Sequence, residues 1–139
     1  MPSASAALRA SVHAALSASA PLAALLGGGR IYDEPPNNAA LPYVTLGEAR
    51  IADYSSDGVK SEEHQLVLHV WSRQGGHREA HLIAGALLQV LDDAELPLGG
   101  HRLINLRFSL ADIRREADGR TYHALVRFRA VTEPISSED

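Results

Sequence analysis

Apolar positions recur at helical spacing in three stretches of the chain and at alternate positions in four others. From Ser5 to about Ser19 the sequence is rich in alanine, and Leu8, Val12, Ala15 and Leu16 fall on one face. That spacing predicts a helix packed along this stripe. Pro21 suits the first turn of a second short helix carrying Leu22, Leu25 and Leu26, which Gly27 to Gly29 end because glycine accepts left-handed backbone angles. Over 77–93, Ala80, Ile83, Ala84, Leu87 and Leu91 form a single stripe at i, i+3, i+4 spacing. This helix is expected to stop near Asp93, ahead of Pro97 and the Gly99, Gly100 pair.

Residues 43–51 and 63–73 read as strands. The polar segment between them, Asp53 to Glu62, is too long for a tight turn and predicts a mobile loop. Ile104, Leu106, Phe108 and Leu110 alternate with Asn105, Arg107 and Ser109, and Tyr122, Ala124, Val126, Phe128 and Ala130 repeat the period. Asp118 and Gly119 mark a turn between the two. The order α, β, β, α, β, β implies an α+β fold: a four-stranded antiparallel sheet with helices on one face. Residues 1–133 are read as one domain and 134–139 as a flexible acidic tail.

With 139 residues and no cysteine, the chain has room for one core and is excluded from disulfide, thiol and cysteine-metal chemistry. Thirteen basic and seventeen acidic residues give a formal charge of -4, so nothing draws the whole molecule to nucleic acid or to an anionic membrane. The alanine-rich start lacks a basic leader, and Arg9 and His13 interrupt it, so it reads as a helix and not as a signal peptide. No apolar run approaches the ~20 residues of a membrane span. A soluble chain is expected.

Candidate chemistry is sparse. His77 and His81 lie one helical turn apart, but Arg78 follows the first histidine where the metalloprotease pattern needs Glu, so a solvated helix face is the plainer reading. His69 or His123, on strands, facing Asp112 or Glu116 would make an acid–base pair if a pocket enclosed them. Gly27-Gly28-Gly29-Arg30 follows a helix instead of joining strand to helix, which argues against a phosphate loop. No cofactor and no metal are expected.

If Leu66, Leu68 and Val70 join the core, the opposite sheet face carries Val67, His69 and Trp71 beside Tyr43, Thr45, Arg107, Leu125, Arg127 and Arg129. Trp, Tyr and Arg combine large apolar area with polar tips and are enriched where proteins meet. The same arginines, with Trp71 and Tyr43, also admit a nucleic-acid-binding sheet, although the aromatic motif of RNA-binding sheets is missing.

A set of short motifs runs in order along the chain: Gly29-Arg30-Ile31-Tyr32-Asp33, Leu41-Pro42-Tyr43-Val44 and Gly47-Glu48. His64, the strand Leu66 to Arg73 ending V-W-S-R, Gly76 with Glu79-Ala80, Gly100, Arg107-Phe108 and the closing strand Tyr122 to Thr132 follow. In these motifs, from Leu8 to Glu133, the chain resembles the tail completion, or tail terminator, family of long-tailed phages and gene transfer agents.

The resemblance implies a virion structural protein of the neck, assembled in the bacterial cytoplasm. Copies would form a homo-oligomeric ring, typically a hexamer, that ends the major tail tube protein's stack and joins it to a head-side connector or stopper. DNA would only pass through the lumen, and no membrane is involved. A ring needs two unlike surfaces on each copy. The sheet face with Tyr43, His69, Trp71, Arg107, Arg127 and Arg129 is one expected surface, and the loop bearing Asp33, Glu34, Asn37 and Asn38 is the other. The segment with Asp53, Tyr54 and Lys60 is expected to order against a neighbour. The alternatives are a small α+β enzyme or ligand-binding domain using a strand histidine, and the nucleic-acid-binding sheet.

Overall fold

A computed structural model describes residues 3–73 and 76–135. Helix α1 (Ala4–Ser17) begins where the Ser3 side chain accepts a hydrogen bond from Ala6 N–H, 3.1 Å. Ser19 caps α2 (Ala20–Leu26) in the same way, and Gly27 ends it at φ +78°. The third helix, α3 (Gly76–Leu91), follows the strand pair and is tied to it by the Ser72 hydroxyl, which donates to Glu79. No helix among the described residues is long and apolar enough to cross a membrane.

Five strands form one mixed sheet: β1 (Ile31–Tyr32), β2 (Tyr43–Asp53), β3 (Glu62–Ser72), β4 (His101–Arg115) and β5 (Tyr122–Pro134), in the spatial order β1-β2-β3-β5-β4. The expected four antiparallel strands are all present. The fifth, β1, runs parallel to β2 through Ile31 opposite Val44 and Tyr32 opposite Thr45. Two residues are too few to show a period in sequence, which is why this strand is not legible there.

Leu8, Val12 and Leu16 of α1, Leu22 and Leu26 of α2, and Ile83, Leu87 and Leu91 of α3 pack on one sheet face. There they meet Val44, Leu68, Val70, Val126 and Phe128 in a single core. The predicted alternation of β4 fails. Of Ile104, Leu106, Phe108 and Leu110 only Leu106 is buried, because β4 is an edge strand with bulges between Leu103 and Asn105 and between Phe108 and Leu110. Each bulge adds a residue and re-aims those after it.

The segment Asp53 to Glu62 is also not the long loop expected. Tyr54 N–H bonds Ser61 O at 2.9 Å, Ser56 and Val59 exchange hydrogen bonds, and Asp57 (φ 48°) and Gly58 (φ 79°) make a two-residue turn. Two successive left-handed residues match the right-handed twist of a hairpin, so β2 and β3 continue almost to the tip. At the other end of the chain β5 runs through Pro134, and Ile135 N–H donates to Gly100 O. The start of the expected tail is therefore strand, and Ser136 to Asp139 lie outside the described residues.

Both sheet edges are partly capped. Arg9 of α1 donates to Leu46 O (2.7 Å) and Gly47 O (2.9 Å) on the outer side of β2, just beyond β1. On the outer side of β4, Asp93 N–H donates to Leu106 O and the Asp92 carboxylate accepts from Phe108 N–H, both at 2.8 Å. Capping of this kind limits indiscriminate strand addition.

Candidate assembly surface

The face of the sheet away from the helices carries a row of side chains reaching from β2 to the end of β4. Cross-strand partners share a face, and the register sets Thr45 opposite His69, His69 opposite Leu125, and Tyr43 and His123 on either side of Trp71. The predicted membership of this face holds for all of these, and for Val67, Arg107, Arg127 and Arg129.

The rings do not project as separate anchors. Trp71 and His123 lie flat on each other, 4.1 Å between centroids and 4° apart, and the His69 ring meets His123 edge to edge, with centroids 4.9 Å apart and planes inclined by 24°. His69 Nδ1 and His123 Nε2 are 2.6 Å apart, His69 Nε2 donates to Glu48 at 3.0 Å, and His123 Nδ1 donates to Glu116 at 3.0 Å. Glu48–His69–His123–Glu116 is thus one hydrogen-bonded row.

With both rings neutral and each donating outward to a carboxylate, two lone pairs would face each other across 2.6 Å. One ring proton placed between the two nitrogens turns that contact into a hydrogen bond. Burial, then the neighbouring His69, holds the His123 ring below its ordinary value, while the hydrogen bond from His69 holds the Glu48 carboxyl below its own.

Gly47 makes the row possible. A Cβ there would lie 2.6 Å from the His69 ring, so only glycine lets the imidazole cross β2. The bulge between Leu46 and Ala49 then brings Glu48 to the same side.

This arrangement bears directly on the acid–base reading. Glu116 does face His123 as the sequence allows, while Asp112 instead pairs with Arg114. Yet all four ring nitrogens are committed within the row, leaving none to exchange a proton with a substrate. His77 and His81 stand 6.4 Å apart, with His77 edge-on to Tyr122. Among the described residues no group of three or more His, Asp or Glu is placed to hold a metal.

The basic stripe is largely neutralised. Arg129 donates to Glu63 at 2.8 Å and lies over the Tyr54 ring, and Arg107 pairs with Asp92 at 3.4 Å. Only Arg127 of the three makes no ion pair among the described residues, which weakens the nucleic-acid reading. Asp53 accepts from Ser55 inside the hairpin, while Tyr54 and Lys60 are exposed near its tip.

In the second expected surface, Asp33 accepts from Arg9 Nε at 2.7 Å, so its carboxylate helps fix α1 to the sheet edge. Asn38, at φ 59°, closes a turn in which Ala39 N–H bonds Pro36 O. Glu34 and Asn37 are exposed. Sequence reasoning missed the roles of Arg9, Glu48 and Asp92. The Gly47-Glu48 pair inside an otherwise regular strand is the one sequence signal that could have marked a bulge, which the strand expected over 43–51 does not include.

Residues 10–133 match the family model of tail completion protein gp17. Among solved structures, a chain in the virion of a native gene transfer agent particle is 34% identical, with a TM-score of 0.87 over 96% of this chain and 99% of that one. The bacteriophage SPP1 gp17 protein is 24% identical, with a TM-score of 0.65 over 98% of this chain and 94% of that one, and shares the fold. No curated protein matches the chain.

Proposed function

Because this chain belongs to the tail completion protein gp17 family, we propose that it is a structural, non-catalytic part of a phage or gene transfer agent tail, closing into a ring, of six copies, that ends the tail tube and joins it to the head-side connector. The observation that carries this reading is the 34% identity, over nearly the whole of both chains, to a component of a gene transfer agent virion. The committed histidine row supports the non-catalytic part, since it has no free ring nitrogen. The net charge of -4 fits a conduit, where a lumen that held phosphate tightly would stall passing DNA.

Sedimentation and negative-stain imaging of the chain on isolated tails test the reading. A ring of uniform diameter at one tail end is the expected result. A compact two-fold dimer, burying the open sheet face against its twin, would overturn it.

A further inference from the structure

Resting on that ring reading, we infer that copies join edge to edge, with the outer side of β2 in one copy pairing antiparallel to the outer side of β4 in the next, and with Arg50 set opposite Asp112. Four observations lead there.

The first is where apolar surface is exposed. Of the eight large apolar side chains exposed among the described residues, Ile51, Tyr54 and Val59 lie on the β2–β3 hairpin and Ile104, Phe108 and Leu110 on β4. The interior strands β3 and β5 contribute none of the eight.

The second is where the caps stop. Arg9 and β1 cover β2 only as far as Gly47, and Asp92 with Asp93 cover β4 only at Leu106 and Phe108. Residues 49–53 and 111–115 keep open outer edges of similar length, with no strand beside them among the described residues.

The third is direction and phase. Every neighbouring pair from β2 to β4 is antiparallel, so β4 runs opposite to β2. Copies in the same orientation therefore bring the two edges together antiparallel. Tyr54 N–H and Glu116 N–H both point inward, to Ser61 O and Thr121 O. Alternation then turns the backbone groups of Ala49, Ile51 and Asp53, and of Ala111, Ile113 and Arg115, outward.

The fourth is side-chain complementarity, which selects the register. With Ile51 opposite Ala111 and Ala49 opposite Ile113, apolar pairs continue the core face. On the open face Arg50 then meets Asp112, Glu48 meets Arg114, and Ala52 meets Leu110. A slip of two residues one way sets Arg50 against Arg114, and the other way sets Glu48 against Asp112. A slip of one residue puts each side chain on the wrong face. Residues 48–63 carry five carboxylates against two cations, and 101–116 carry four arginines against two carboxylates, so the hairpin and β4 also attract as wholes.

The contact is heterologous, as a ring needs. Ile51 is level with His64, and Ala111 with Leu68, so each copy is stepped by four residues, about 13 Å, along the strands. Closure then requires strands oblique to the ring axis, as in any barrel.

The chain has no cysteine, so cross-linking reads the seam directly. Ala52 and Leu110 would form a non-hydrogen-bonded pair with Cα atoms about 4.5 Å apart, within disulfide reach. Particles carrying Ala52→Cys with Leu110→Cys should give, on mild oxidation, a ladder of covalent multimers ending at the ring's full number. Either single variant, or Ala52→Cys with Leu82→Cys on the exposed side of α3, should stay at monomer mass. Arg50→Glu and Asp112→Arg should each reduce the ladder several-fold in that background and together restore it. Rings seen by imaging that give no ladder overturn the seam and leave the ring reading standing. A dimer from Ala52→Cys alone would show a two-fold contact and overturn both, as would a chain absent from the particles.

Discussion

His64 is 1% exposed, bonded to Thr132 Oγ1 at 3.0 Å, and burial pushes its ring below the ordinary value of 6.5. The folded state therefore holds a neutral ring where the unfolded chain takes up a proton. Stability rises with pH wherever the unfolded state binds more protons, so it is full above about 6.5 and lost as pH falls below that value. His123 is depressed in the same direction. We predict a lower urea midpoint at about pH 5.5 than at about pH 7.5, and a smaller drop for His64→Gln. An equal drop in the variant would remove His64 from the account. Strand alternation in the sequence revealed that His69 and Trp71 share a face. It did not reveal that His123 lies flat on Trp71, because that depends on which β5 residue stands opposite, and register is a property of two strands.

Arg9 shows what an element can hide. In sequence it is one polar position on an alanine-rich helix, yet it fastens α1 to Asp33 and to two β2 carbonyls. Arg9→Ala leaves those carbonyls without their donor and should lower stability by about 1–3 kcal/mol in urea unfolding. Arg9→Lys should not restore it, since a single ammonium cannot span the three acceptors, Asp33, Leu46 O and Gly47 O, that the guanidinium fork reaches. Unchanged stability in both variants would mean the contacts carry no weight. The helices were legible because apolar spacing over several turns repeats one message. The edges were less so. Bulges in β2 and β4 reset the alternation, and Asp57-Gly58 closed a hairpin where the length of the polar segment had pointed to a loop.

For the whole molecule, the core and the family were legible in the sequence. The open face was correctly composed, but the row Glu48–His69–His123–Glu116 occupies its rings internally, while exposed apolar side chains gather on the two edges. In the proposed ring, joining by edges would leave the two rims free to differ, one to meet the tail tube and the other the connector. Adding the purified chain to growing tail tubes tests that role most directly. The account predicts a single ring at one end of each tube and arrested elongation. Tubes that keep growing, or protein bound along their whole length, would contradict it.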